Sequence, residues 1–100
     1  MNREDMIKEK RRSDSEIIAM VTQAGITYQD EDEGDIYFEV VTAFADDESG
    51  KIYFVCSEDG RSDSEVVFFY HYMGEVNAVE DDDEFNMIAA VYEEWMAGPQ

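Results

Sequence analysis

The sequence predicts an α+β fold: a two-layer sandwich in which N- and C-terminal helices flank an antiparallel meander of three to five strands, in the order α-β-β-β-β-α. Two observations carry this reading. Apolar residues recur at helical spacing only near the two ends of the chain, while the middle holds runs of β-branched and aromatic residues joined by short acidic turns containing glycine. The 100 residues are also 44% hydrophobic and 13% aromatic, which is enough to build the core of one domain and too much for a disordered acidic tail.

The elements follow in order. Ser13 and Glu16 form a capping box ahead of Ile17, Ile18, Val21 and Ala24, and Gly25 supplies the stop. Asn2 and Asp5 offer an earlier start, which would extend this helix. Ile26–Gln29 reads as a short strand, and Ile36–Phe44 as a long one after the turn 30–35. Lys51–Cys56 and Glu65–Met73 are the next two strands, each preceded by a turn with glycine, so all pair as hairpins. Gly74 breaks the sheet, and Glu75–Val79 fits either an edge strand or a loop. Phe85, Ile88, Ala89, Tyr92, Trp95 and Met96 then make an amphipathic helical stripe, with carboxylates ahead of it at the positive end of the helix dipole and Gly98-Pro99 behind it. The strands Ile52–Cys56 and Val66–Tyr70 are apolar on both faces. Helices on one side would leave the other to a second layer, a homodimer interface or a partner. The run Arg12–Ile18 is echoed by Arg61–Val67, the first ahead of a helix and the second ahead of a strand, which reads as coincidence or shared turn chemistry rather than duplication.

Charge divides the chain. It carries 26 acidic and 7 basic residues, a net charge of −19. Residues 1–12 hold five of the bases and three of the acids, a basic N-terminal segment; residues 13–100, the single acidic domain, hold the other 23 acids against Lys51 and Arg61 alone. Such a surface repels phosphate backbones and anionic lipid, so direct binding to nucleic acid or membrane is not expected. No apolar run is long enough to span a bilayer, no signal-peptide pattern opens the chain, and Cys56 has no disulfide partner, which together suggest the cytoplasm.

No motif carries enzymatic chemistry. The acidic loops place glycine one position early for an EF-hand, nothing singles out two acids for glycosidase work, and His71 has no nucleophile beside it. Neither a catalytic site nor a metal or other cofactor is expected. Cys56 reads as a small buried hydrophobe, and Trp95 as core or an interface anchor. The candidate partner-binding residues are the dense carboxylates: Asp30, Glu31, Asp32, Glu33 and Asp35; Asp46, Asp47 and Glu48; and Asp81, Asp82, Asp83 and Glu84. Duplex DNA carries one charge per ~1.7 Å, so the ~30 Å spanned by a domain of this size matches roughly 18 phosphates. The −19 of the chain is of that order.

In size, charge and these three clusters the chain resembles the acidic DNA-mimic inhibitors encoded by phages, namely anti-restriction proteins, anti-CRISPR proteins and uracil-DNA glycosylase inhibitors. The resemblance spans the whole chain but includes no diagnostic motif. It implies a non-enzymatic inhibitor that blocks a basic nucleic-acid-binding protein such as a host-defence nuclease, acting in the host cytoplasm if phage-encoded. Nuclease-immunity proteins look similar for the same electrostatic reason. The chain is also similar to acidic secretion chaperones in element order, which would imply a client bound on an apolar sheet face. A solvated acidic surface serving solubility or high salt is the plain alternative.

Overall fold

A computed structural model describes residues 3–61 and 65–98, with side chains from Ser13 onward. It shows the α+β fold: helix α1 (Arg3–Ala24), strands β1 (Ile26–Asp30), β2 (Gly34–Asp46), β3 (Lys51–Ser57), β4 (Val67–Tyr72) and β5 (Glu75–Ala78), and helix α2 (Asp82–Ala97). The five strands form one antiparallel meander in chain order. The segment after Gly74 is therefore a fifth strand, paired to β4 from Phe69↔Ala78 to Tyr72↔Glu75. Of the echoed motif, Ser62, Asp63 and Ser64 lie outside the described residues, and Arg12–Glu16 lie within α1.

Ser13 is an interior residue of α1, not its cap. The ten residues before it hold no glycine or proline and are mostly Glu, Lys, Arg and Met, which favour the helix. Propensity over a long window outweighs one capping box, so the earlier start prevails. Gly25 ends α1 at φ 76°, its N–H donating to the carbonyl of Val21 at 2.7 Å. The Tyr37 ring lies where a Cβ would stand on Gly25, and its hydroxyl donates to the Ala24 carbonyl at 3.2 Å. Glycine is thus required by both conformation and space.

The two helices take opposite faces of the sheet. In β3 every residue from Ile52 to Ser57 is buried. Ile52, Phe54 and Cys56 join Val21, Ile26, Phe38 and Phe69 beneath α1. Tyr53 and Val55 join Phe68 and the α2 residues Ile88 and Tyr92. The second apolar face anticipated above is thus covered from within the chain: α2 is its layer. A strand with apolar side chains at both alternations requires such double cover. A bulge at Val41 keeps β2 in step, since Val40 opposes Cys56 and Thr42 opposes Val55. Val40 and Ala43 consequently pack with the α1 core, and Val41 and Phe44 with the α2 core.

The sheet is curled. Tyr28 on β1 and Phe69 on β4 are separated by two intervening strands, which in a flat sheet puts their backbones ~14 Å apart. Their ring centroids are 6.1 Å apart. The meander is a half-barrel, with α1 on its concave side and α2 on its convex side, and β1 and β5 facing one another across the open side.

Candidate functional site

Strand register sorts the predicted acids into two groups. The first lies in and beside the β1–β2 turn. Asp30 closes β1 and accepts the Asp32 N–H at 2.8 Å; Glu31, Asp32, Glu33 and Asp35 are exposed. The second cluster lies at the opposite end of the sheet, and Glu84 of the third reaches toward it. Asp46 pairs across β2 and β3 with Lys51, and Lys51 Nζ lies 2.9 Å from Glu84 Oε2 in the first turn of α2. From Asp35 to Asp46 the long strand β2 separates the two groups by on the order of 35 Å, at ~3.3 Å per residue.

Not every candidate carboxylate is available to a partner. Asp46 accepts the Glu48 N–H at 3.2 Å and the Ser49 hydroxyl at 2.8 Å, shaping the β2–β3 turn. Asp81 is the N-cap of α2, accepting the N–H groups of Asp83 at 2.7 Å and Glu84 at 3.1 Å. Glu84 accepts from both Lys51 and the Tyr53 hydroxyl, the latter at 2.7 Å, and so ties α2 to β3. The Lys51 and Tyr53 hydrogen bonds hold the Glu84 carboxyl below its ordinary range. Tyr53 is pushed up, first by burial and then by the same carboxylate. Lys51 also sits 4.6 Å from the centre of the Tyr70 ring. Glu48, Asp82 and Asp83 are exposed.

Sequence reasoning missed an apolar tip. Met73 and Gly74 form the two-residue turn between β4 and β5, at φ 49° and 83°. Positive φ at both central residues is the type I′ hairpin turn, which favours Asn-Gly. Met73 is 84% exposed. Tyr72 pairs with Glu75, and its ring edge approaches Gly50 in the neighbouring turn. A large apolar side chain is thus displayed at the same end of the sheet as the β2–β3 turn that carries Asp47 and Glu48. The signal was there in an X-Gly pair between two β-prone runs, but glycine was read as a break rather than a turn.

The other conspicuous groups do not form a reactive site. Burial pushes the Cys56 thiol up to about 12, which leaves it protonated and inert at neutral pH. Among the described residues no three His, Cys, Asp or Glu side chains are grouped to hold a metal ion, and no helix is long and apolar enough to cross a membrane. Trp95 stacks on Tyr92 at 5.8 Å while remaining half exposed.

The described residues thus form a small, strongly acidic α+β half-barrel. The chain is a member of the DUF1292 family, proteins of unknown function, whose pattern matches residues 31–97. The match runs from the β1–β2 turn through α2, so α1 and β1 lie outside it. No curated protein and no solved structure matches the chain.

Proposed function

We propose that this protein is a non-enzymatic binding module that occupies the basic, nucleic-acid-binding surface of another protein, in competition with nucleic acid. The observation that supports the reading is that the β2–β3 turn and the β4–β5 tip lie at one end of the sheet, with Glu84 from the first turn of α2 reaching Lys51 there. That end carries the acidic β2–β3 turn together with the exposed apolar Tyr72 and Met73, and Asp82 and Asp83 are exposed in the first turn of α2. Carboxylates steer a basic partner and set salt dependence, while an apolar anchor contributes contact energy that salt does not screen. A surface serving solubility alone has no use for a methionine in a strained turn. The client-binding alternative on the central strands is disfavoured because α1 and α2 cover both faces of β3, where Tyr53 is a core residue.

The test is affinity purification from cells that express the protein, using the native chain and the triple variant Asp47→Lys, Asp82→Lys, Asp83→Lys. The expected partners are nucleic-acid-binding proteins, released by added duplex DNA and by about 0.5 M salt, and lost with the variant. Partners that resist both DNA and salt, or that bind the charge-reversed variant equally well, overturn the reading.

A further inference from the structure

The open side of the half-barrel is a continuous groove. Three adjoining hollows of ≈ 460, 450 and 540 Å³ run along it. The first and second share Tyr28, Phe69 and Ala78, and the second and third share Ile36, Phe38 and Val67. One wall is β1 and the other is β5 with the start of β4. Each of β1 and β5 pairs on one side only, so each presents a free backbone edge.

We propose that this groove takes an extended, basic and apolar peptide segment of a partner protein, added as a strand along the free edge of β1. Three features point to this occupant. The floor is apolar, built from Ile36, Phe38, Val67 and Phe69, and the exposed Tyr28 and Val76 stand at its sides, giving pockets for alternate side chains of an added strand. The rim is acidic: Asp30, Glu33, Glu58, Asp59 and Glu65 border the hollows, and no Lys or Arg does among the described residues. Charge complementarity therefore selects basic residues for the outward positions of the strand. Lastly, neither β1 (Ile-Thr-Tyr-Gln-Asp) nor β5 (Glu-Val-Asn-Ala) carries the lysine or proline that commonly blocks a free edge. This groove is separate from the acidic tip proposed above, although both favour a basic partner.

The probe is a fluorescein-labelled ten-residue peptide alternating Lys or Arg with Val or Ile. Its control has the same charge, with every second apolar residue replaced by proline, which cannot donate to a strand ladder. Anisotropy is read on the native protein, on Tyr28→Lys/Val76→Lys and on Asp47→Lys/Glu48→Lys in the β2–β3 turn, which borders none of the three hollows. These substitutions are at exposed positions, and circular dichroism checks that each variant is folded. The expected result is at least tenfold weaker binding of the proline control and at least tenfold loss with Tyr28→Lys/Val76→Lys. Asp47→Lys/Glu48→Lys should change affinity less than threefold, and hydrogen exchange should show new protection of β1 amides. Equal binding of both peptides, or protection confined to the β2–β3 turn and α2, overturns the groove proposal while leaving the acidic tip standing. Loss of partner capture in the charge-reversed variant tests the tip without reference to the groove.

Discussion

A methionine held at φ 49° sits about 1–2 kcal/mol above its ordinary backbone regions. Its side chain is too exposed to recover that cost through packing. Asparagine tolerates this conformation and, followed by Gly74, gives the preferred type I′ pair. Met73→Asn should therefore raise stability by roughly 0.5–1 kcal/mol, read as an upward shift in the midpoint of urea unfolding at unchanged slope. An unchanged or lower midpoint would show that Met73 is not strained in solution. If the tip is a partner contact, the same variant should bind its partner more weakly while folding better, the usual direction of a stability–function trade-off.

The element most dependent on a single polar contact is α2. Its first turn is tied to β3 by Glu84, and its apolar stripe enters the convex core through Ile88 and Tyr92. Because Glu84 is held below the ordinary carboxylate range, its contribution is fully present above pH ~4.5 and is lost as pH falls through its lowered value. Glu84→Gln should cost about 1 kcal/mol at pH 7, a modest figure because both partners are partly exposed. The gap between native and variant should close toward pH 3; a gap that is constant with pH would mean that the charge of Glu84 does not matter. The amphipathic stripe of α2, the hairpins and the central strands were all legible in the sequence, because period and turn chemistry are local. The capping box at Ser13 misled, since it recorded a local option that a longer helical run overrides. The roles of Asp46, Asp81 and Glu84 were not legible: in a run such as Glu80–Glu84 nothing local distinguishes the acid that caps a helix from the one that meets a lysine 33 residues away. Nor was the assignment of the helices to opposite faces, which depends on the sheet's curl.

At the scale of the whole molecule, like charge opposes folding. With −19 spread over a 100-residue domain and few cations near the carboxylates, repulsion is relieved whenever salt screens it. The melting temperature should rise steeply between about 10 mM and 200 mM sodium chloride, where the screening length contracts from ~30 Å to below ~8 Å, and level off beyond. A flat or falling profile would show that ion pairs, rather than repulsion, dominate the surface. The bulge at Val41 has a consequence of a different kind. Both faces of the middle strands are apolar, so polarity gives little protection against a strand slipping by one residue. The extra residue divides β2 into two segments of opposite phase, one delivering Ile36, Phe38 and Val40 to the concave core and the other delivering Phe44 to the convex core. Deleting Val41 itself would leave regular alternation with Val40, Ala43 and Phe44 on their present faces, whereas deleting a residue elsewhere in β2 would turn the residues between it and the bulge inside out. In the lineage of this chain, insertions and deletions should therefore accumulate in the acidic turns and be purged from β2 on either side of the bulge, while the bulge itself is the one point in the strand where a residue can be lost without reversing a face.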